Sequence, residues 1–326
     1  MKIEDIGGEF ALIDRLAAIT FLEHGDLIQG IGDDAAVIRV APDPAPYLLV
    51  TSDMLVEERH YRRQWATATQ IGIKAVECSV SDIAAMGGLP TWIFISLVLS
   101  RDADVAWCQD LYRGIHKACG RHGVVVAGGD TTRGEPGAIN ITLLGQVAPK
   151  DLCLRSHARP GDLLMVTGSL GASAAALALL LRGDKPSNYL LEKHLTPACR
   201  LAASRKIAPL ARAMIDISDG LGAEVQHICD QSKVDAEIEA ASIPLHADVI
   251  AAARRLGTPP YCLGLSGGED FELLFSIAPK NAERLAAMEL GCHLVGRVVE
   301  RSHGPRLIEP DGKSVPLPGG YDHFKF

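Results

Sequence analysis

The stretch TWIFISLVLS, residues 91–100, indicates the fold most clearly. It is an apolar run rich in β-branched side chains, and similar runs follow at 124–127 (VVVA) and 138–147 (AINITLLGQV). Glycine or proline bounds these runs, a pattern typical of strands. Between the first two, residues 103–119 place apolar side chains at three-and-four spacing, which predicts a helix. Strand and helix therefore alternate, as in an α/β domain.

The pattern restarts after residue 149. The second half is predicted to contain, in chain order, a strand at 163–167, helices near 198–213 and 220–232, a strand at 271–277, a helix at 281–290 followed by a strand, and a hairpin at Asp311-Gly312. A chain of 326 residues suits two domains of roughly 150 residues each. We predict a two-domain α/β fold, with domains at 1–149 and 150–326.

Composition excludes several classes of protein. The net charge is −8 and only 5% of residues are aromatic, which argues against a nucleic-acid-binding surface. The opening MKIEDIGGEF is acidic where a signal peptide is basic, and the longest apolar run, 171–181, is shorter than the roughly 20 residues of a membrane span. The eight cysteines lie at least eleven residues apart, which predicts reduced thiols rather than zinc knuckles. We expect a cytoplasmic protein.

Aspartates preceded by Gly or Ser, most of them near the end of an apolar run, form the most informative pattern. They occur in GIGDDAA (30–36), VTSDML (50–55), SVSDIAAMGG (79–88), GGDTTRG (128–134), DISDGL (216–221) and SGGEDFELL (266–274). Each has an ordinary explanation: Asp82 could cap a helix, Asp219-Gly220 could be a turn, and Asp130 could bond its own backbone. Six clusters together favour a cation site, because unpaired carboxylates are seldom buried.

Magnesium is the cation that this pattern suggests, because it prefers oxygen ligands and is held by carboxylates together with substrate phosphates. The candidate carboxylates are Asp33, Asp34, Asp53, Asp82, Asp130, Asp216 and Asp219. Removing these seven would change the net charge from −8 to −1, so nearly all the acidic excess would sit in one cleft. Several divalent ions would relieve the resulting repulsion. Thr51 and Ser52 would add further oxygens, and Gly128-Gly129 would let the backbone approach a ligand closely.

Nucleotide-binding motifs of other kinds are missing. The chain has no GxxxxGK[ST] and neither the HRD nor the DFG triplet of protein kinases. Gly30-Ile31-Gly32 resembles a dinucleotide fingerprint, but two acids and the strand-like AAVIRV follow it where a helix should begin. We therefore reject a dinucleotide site.

Taken in order, GIGDDAA, TSDML, VSDIAAMGG, GGDTTRG, DISDGL, GGEDFELL and the terminal GGYDHF resemble the thiamine-monophosphate kinase family of the aminoimidazole-ribonucleotide-synthetase superfamily. The likeness runs from Gly8 to Phe324. It implies an N-terminal α/β domain that binds metal and ATP and pairs through its sheet in a homodimer, and a C-terminal α/β domain that closes over ATP. The implied reaction is direct phosphorylation of thiamine monophosphate to thiamine diphosphate by ATP, with several Mg²⁺ ions and no protein acid or base.

The resemblance also implies roles for individual residues. Those matching the family's magnesium ligands are Asp34, Thr51, Ser52, Asp53, Asp82, Asp130, Asp216 and Asp219, while Asp33 joins them from the aspartate pattern alone. Those matching ATP contacts are Tyr112, Gly129, Asp130, Arg155 and Ser218. Those matching contacts to thiamine monophosphate are His60, Glu269 and Tyr321. Three features depart from the family: Glu58 and His157 stand where glycine is usual, and the Asp-Pro pair that commonly opens the next helix is missing at Ala66 to Thr69.

Other functions stay open at this point. A synthetase of the same superfamily would use another acceptor, and a reactive cysteine near the N-terminus would mark one class of these, but the first cysteine is Cys78. A divergent paralogue could bind nucleotide without catalysis. A simple magnesium or calcium buffer would be stabilised by the ion without binding ATP.

Overall fold

The protein is described by a computed structural model that covers residues 3–20, 24–101 and 103–321. The end of the GGYDHF motif, Asp322 to Phe324, lies outside the described residues. Two mixed sheets with helices make up the chain, as the sequence predicts. None of the helices in the described ranges has the length and hydropathy that a membrane span requires.

The first sheet has six strands in the order β1-β2-β3-β6-β4-β5. They are β1 Leu27–Gln29, β2 Ala36–Ile38, β3 Tyr47–Val56, β4 Leu89–Leu99, β5 Val125–Arg133 and β6 Ala138–Val147. The β4–β5 pair is parallel, and the other neighbours are antiparallel. Residues 33–35 separate the Gly30-Ile31-Gly32 segment from β2, so that a strand and not a helix follows it.

Three α-helices lie in the described residues of this half: α1 Glu9–Thr20, α2 Ala68–Ala85 and α3 Val105–His122. The capping box of Thr67 and Gln70 starts α2, and Gly123 ends α3 in the left-handed conformation. Strand β4 alternates buried residues such as Ile93 and Ile95 with exposed ones. Because α2 and α3 supply the apolar partners of these buried residues, one face of the sheet forms the core.

The helices α2 and α3 cross in close contact. A Cβ built on Gly114 would lie 2.0 Å from the carbonyl oxygen of Thr69, and one on Gly72 would lie 2.2 Å from that of Leu111. Any side chain at either position would overlap the backbone of the other helix, so both positions require glycine. The sequence pattern did not predict α2, because 15 of its 18 residues are buried and no polar stripe marks its period.

The second sheet has seven strands in the order β13-β12-β9-β11-β7-β10-β8. They are β7 Leu163–Thr167, β8 Ala211–Asp216, β9 Asp235–Glu239, β10 Leu273–Ile277, β11 Cys292–Val299, β12 Arg306–Ile308 and β13 Ser314–Pro316. The helices are α4 Ala172–Leu181, α5 Asn188–Leu195, α6 Leu201–Ile207, α7 Leu221–Ser232, α8 Ala247–Leu256, α9 Pro260–Ser266 and α10 Ala282–Ala286. The last strand of the first sheet ends at Val147 and this sheet begins at Leu163, on either side of the predicted boundary.

One predicted element is wrong in part. The helix expected near 198–213 ends at Ile207, and residues 211–216 form β8 instead. Pro209 has no backbone N–H to donate to the carbonyl four residues earlier, and its ring clashes with that carbonyl, so the helix ends before it.

Candidate active site

Three of the predicted ligands meet where the two halves of the chain touch. Asp34 lies in the loop before β2, Asp82 in the last turn of α2, and Asp216 at the end of β8. Carboxylate oxygens of all three lie within 4.8 Å of one another. The explanation of Asp82 as a helix cap is wrong, because α2 begins fourteen residues earlier, at Ala68.

Packing of α2 against the second half brings these carboxylates together. The Ser81 hydroxyl donates a hydrogen bond of 2.6 Å to Asp216 Oδ2, and the Ser204 hydroxyl donates to the carbonyl of Ala84. Ala85 is buried in a cluster with Met214 and other apolar residues of the second half. The end of α2 is therefore fixed against β8 and α6.

The three carboxylates are held where ionisation is unfavourable. Burial raises the pKa of Asp82 well above its ordinary value, and the charges of Asp53, Asp216 and Asp34 raise it further. Burial, followed by the charge of Asp34, raises the pKa of Asp216 to about 8. Such shifts are expected where several carboxylates are crowded together in a buried site.

The residues present fit a magnesium ion. Within the described ranges, the buried Asp34 Oδ2 has no hydrogen-bond partner, which is rare for a buried oxygen and typical of a position that accepts an ion or water. The donors are hard oxygens from several elements, the set that Mg²⁺ prefers. Asp34, Asp82 and Asp216 are thus candidate ligands.

Strand β3 adds Thr51 and Asp53 beside this centre. The Thr51 hydroxyl donates to Asp82 Oδ2, and burial is the main cause of the raised pKa of Asp53. Ser52 faces the other side of the sheet, because alternate side chains of a strand point in opposite directions. Its hydroxyl accepts a hydrogen bond from Asn140 at 3.1 Å. Asp53 lies within the strand, not at its end.

Asp33 and Arg155 form the edge of the centre. The Arg155 guanidinium pairs with Asp34 Oδ1 and lies 3.6 Å from Asp33 Oδ1. The backbone N–H of Arg155 also donates to Asp33 Oδ2 at 3.2 Å. Burial, and then the charge of Asp34, raises the pKa of Asp33 to about 7, although Arg155 opposes this. In this arrangement the arginine partly neutralises the two acids.

Asp219 and Ser218 lie on the loop before α7. Their backbone N–H groups both donate to Glu224 Oε1, at 2.9 and 3.2 Å. Burial raises the pKa of Glu224 well above its ordinary value, and the charges of Asp219 and Asp216 add to this. The backbone N–H of Tyr321 donates to the Asp219 carbonyl at 2.9 Å, so the C-terminal segment lies against this loop. Sequence reasoning missed Glu224, which orients the loop.

Asp130 lies apart from the central three carboxylates. It is inside β5, and with Tyr112 and Gly129 it lines an open cleft of about 510 Å³. Three of the five predicted ATP contacts therefore share one cleft. A Cβ on Gly129 would lie 1.8 Å from the Ile95 carbonyl, so the close packing of β4 and β5 already requires glycine. Asp130 Oδ1 accepts a hydrogen bond from the N–H of Thr131 at 2.8 Å.

His60 and Glu269 are brought together by Lys74, a residue that the sequence did not point to. The Lys74 ammonium lies 2.7 Å from Glu269 Oε1 and donates to the His60 carbonyl at 3.1 Å. His194 Nδ1 lies 3.5 Å from Glu269 Oε2. Burial, and then the charge of Lys74, lowers the pKa of His194 to about 4. Trp65 lines the same pocket as His60 and Lys74.

The chain resembles known proteins over most of its length. Residues 32–147 match the N-terminal domain of AIR synthase related protein, and residues 159–307 match its C-terminal domain. The chain is 34% identical to thiamine-monophosphate kinase of Haemophilus influenzae, over 98% of each chain. It is 37% identical to that of Pyrococcus horikoshii, over 94% of each.

A solved structure, AaThiL complexed with AMPPCP and TMP, superposes with a TM-score of 0.87 at 34% identity and covers 99% of both chains. Structures of the hydrogenase maturation protein HypE share the fold, with TM-scores up to 0.72 at 17 to 20% identity. The similarity to the kinases spans nearly the whole chain. The sequence identity to the kinases is also much higher than the sequence identity to HypE. The chain therefore belongs to the thiamine-monophosphate kinase family.

Proposed function

We propose that this protein transfers the γ-phosphoryl group of ATP to thiamine monophosphate and releases thiamine diphosphate and ADP. The observation that carries the proposal is the meeting of Asp34, Asp82 and Asp216 within 4.8 Å, in a chain 34% identical to a protein solved with AMPPCP and TMP. Both reactants are anions, so the main requirement is neutralisation of charge.

The residues proposed to hold Mg²⁺ are Asp33, Asp34, Thr51, Ser52, Asp53, Asp82, Asp130, Asp216 and Asp219. Magnesium, when bound, supplies positive charge that offsets the phosphates of both substrates and helps align them. The unpartnered Asp34 Oδ2 and the raised pKa values of Asp82 and Asp216 support this assignment. The protein contributes the fixed positions of the carboxylates.

The nucleotide is proposed to contact Tyr112, Gly129 and Asp130 in the cleft on β5, together with Arg155 and Ser218. The guanidinium of Arg155 presents a planar fork that suits phosphate oxygens. It lies beside Asp33 and Asp34, so an anion bound there would sit next to the metal ligands. We propose that the second domain closes over the nucleotide.

Thiamine monophosphate is proposed to bind against His60, Glu269 and Tyr321. Its thiazolium ring carries a positive charge, which suits the carboxylate of Glu269. Lys74 holds that carboxylate at 2.7 Å and so fixes its position before the substrate arrives. No protein base is required, because the acceptor is an already ionised phosphate. The residues thus orient two substrates rather than transfer protons.

We further propose that the first sheet pairs with its copy in a homodimer. The face of β4 away from the helices exposes Trp92 and Phe94, which are 49% and 39% exposed, and β5 is exposed along all nine residues. A large apolar sheet face of this kind typically marks an interaction site.

The domain division at 149 and 150 and the cytoplasmic location also remain proposals.

A direct assay tests the proposal. Purified protein is incubated with ATP and Mg²⁺, with and without thiamine monophosphate, while ADP release is followed. We expect ADP release to depend on thiamine monophosphate. ADP release that ignores it would indicate another acceptor, and failure to bind nucleotide would favour a non-catalytic paralogue.

A further inference from the structure

A second group of metal-binding side chains lies outside the proposed active site. Glu77 is on α2, His122 is the last residue of α3, and Cys199 precedes α6. Glu77 and Asp82 are five residues apart on the same helix, a spacing that turns them about 140° away from each other. This group therefore faces a different part of the molecule from the carboxylates that are proposed to hold magnesium.

The three ligand atoms converge on one point. Glu77 Oε2, His122 Nε2 and Cys199 Sγ belong to a group whose ligand atoms lie within 4.8 Å of one another. The nitrogen-to-oxygen distance is 3.1 Å and the sulfur-to-nitrogen distance is 3.8 Å. A tetrahedral zinc ion, with bonds of about 2.0 Å to nitrogen or oxygen and about 2.3 Å to sulfur, separates its ligand atoms by roughly 3.3 to 3.5 Å. These two separations require only small adjustments, and the third, between the Glu77 oxygen and the Cys199 sulfur, is no more than 4.8 Å.

Neighbouring contacts hold Glu77 in the orientation that a metal ligand needs. Its side chain is 1% exposed, and Arg121 lies 3.1 Å from Oε1. The backbone N–H of Cys199 donates to Oε2 at 3.0 Å. The carboxylate is thus fixed by two other groups, with Oε2 turned towards the imidazole and the thiol. Hydrogen bonds of this kind orient metal ligands in known sites.

The His122 side chain is 13% exposed, so the site is reachable from solvent on the imidazole side. An ion could enter there, and a water molecule could complete the coordination. One thiol, one imidazole and one carboxylate form a donor set that suits zinc and similar ions, whereas magnesium prefers oxygen ligands alone.

We propose that Glu77, His122 and Cys199 bind a divalent ion of the zinc class at a site separate from the magnesium centre. On binding, the Cys199 thiol releases its proton to solvent and the thiolate ligates the metal. The His122 imidazole ligates through Nε2 and carries its proton on Nδ1. The ion replaces the hydrogen bond between His122 and Glu77.

Such an ion would connect the two halves of the chain. Glu77 and His122 belong to the helices that cover the first sheet, while Cys199 precedes α6, which packs beside α2. Binding to the folded protein alone raises the free energy of unfolding by mass action. The proposed site therefore stabilises the contact on which the positions of Asp82 and Asp216 depend, without touching the substrates.

Cobalt(II) tests the proposal, because a thiolate bound to cobalt gives a charge-transfer absorption that carboxylate sites do not give. The full-length protein, stripped of metal under reducing conditions, is titrated with Co²⁺ in excess Mg²⁺. We expect the thiolate absorption to reach its maximum at one equivalent and to be removed by Zn²⁺. The Cys199→Ser variant should lose this absorption, while Cys262→Ser, which changes another half-buried cysteine, should keep it.

The His122→Gln variant provides a second measurement that leaves the thiol in place. This variant should bind Zn²⁺ more than about tenfold more weakly than the wild-type protein. Loss of a group that only hydrogen-bonds to a metal ligand already weakens binding by about tenfold, and His122 is proposed to be a ligand itself. Zinc should raise the thermal midpoint of the wild-type protein but not that of Cys199→Ser. The proposal is overturned if the wild-type protein shows no thiolate absorption with Co²⁺, or if Cys199→Ser retains it.

Discussion

Each central carboxylate lies where its protonated form is favoured, and this has a consequence for stability. Asp216 has a pKa raised from 3.8 to about 8, with burial as the main cause. Between these values the folded protein holds a proton that the unfolded chain has released. This shift lowers the free energy of unfolding of the metal-free protein as pH rises through this window, whereas His194, with a pKa lowered from 6.5 to about 4, acts in the opposite direction below about pH 6.5. Asp33, with a pKa raised to about 7, acts in the same direction as Asp216.

We expect the thermal midpoint in EDTA to decrease from pH 7 to pH 8, above the range in which the histidines titrate, and saturating Mg²⁺ to reduce or remove the decrease. Thermal unfolding followed by circular dichroism measures both. Asp216→Asn should flatten the profile in EDTA, because it removes one of the titrating groups. A midpoint that is constant or rising over this range in EDTA would be incompatible with these pKa shifts.

Glu58 stands where the family usually has glycine, and its backbone explains that preference. Its φ of 67° lies in the left-handed region, which costs an ordinary residue roughly 1 to 2 kcal/mol. Its side chain is 66% exposed and pairs with Arg62 at 3.1 Å. A pair so exposed contributes little to stability.

We therefore predict that Glu58→Gly leaves the KM for thiamine monophosphate within about twofold of wild type and does not lower the thermal midpoint, because glycine relieves the backbone strain. Steady-state kinetics and thermal unfolding test this. Arg62→Ala serves as a control for loss of the ion pair alone. A tenfold change in KM in Glu58→Gly but not in Arg62→Ala would show that residue 58 determines acceptor choice.

At the scale of elements, the crossing of α2 and α3 is the most demanding contact. Gly114→Ala would place a methyl group 2.0 Å from the Thr69 carbonyl, so the helices must separate. We predict a loss of about 3 kcal/mol or more in the free energy of unfolding. Denaturant titration measures this loss.

Gly120 is the matched control, because it lies on the same helix and an added Cβ would meet nothing within 4 Å. Gly120→Ala should raise the free energy of unfolding by up to about 1 kcal/mol, because alanine has a higher helix propensity than glycine. Similar effects of the two substitutions would contradict the close crossing.

Several of the elements that the sequence predicted have one apolar and one polar face. Strands β4 and β6 and helix α3 were expected close to their observed bounds for this reason. Helix α2 was not predicted because nearly all of it is buried. Lys74, which lies on this helix, was missed for the same reason. Glu224 was missed because a single acid in a helix carries no motif. The aspartates that pointed to the site were conspicuous because five of the seven follow Gly or Ser, and the other two, Asp34 and Asp216, lie in the same short motifs.

At the scale of the whole molecule, the site depends on contacts that no local pattern encodes. Asp82 and Asp216 are 134 positions apart and meet because α2 packs against β8. Local periodicity predicts helices and strands. It does not predict how the two halves of the chain pack against each other, which brings these two aspartates together. The ordered series of motifs, by contrast, indicated the family before any contact was known.

The exposed face of the first sheet carries a prediction about assembly. Trp92→Asp with Phe94→Asp should convert a homodimer to a monomer, because each charge would be buried in the proposed interface without a partner. Light scattering coupled to size-exclusion chromatography measures the mass. Leu181→Asp, at a residue that is 59% exposed on α4, should leave the mass unchanged. A wild-type monomer, or a double variant that remains dimeric, would contradict the prediction.

The central claim is that the converging carboxylates make this chain a kinase of thiamine monophosphate. The most direct measurement is chromatographic quantification of thiamine diphosphate and ADP formed from ATP, Mg²⁺ and thiamine monophosphate, in wild type and Asp82→Asn. The surface variant Asp230→Asn, at an acid 55% exposed, is the control.

We predict equal amounts of the two products in wild type and Asp230→Asn, and a loss of turnover by at least about a hundredfold in a folded Asp82→Asn protein. ADP without thiamine diphosphate in wild type, or near wild-type turnover in Asp82→Asn at saturating Mg²⁺, would contradict the account.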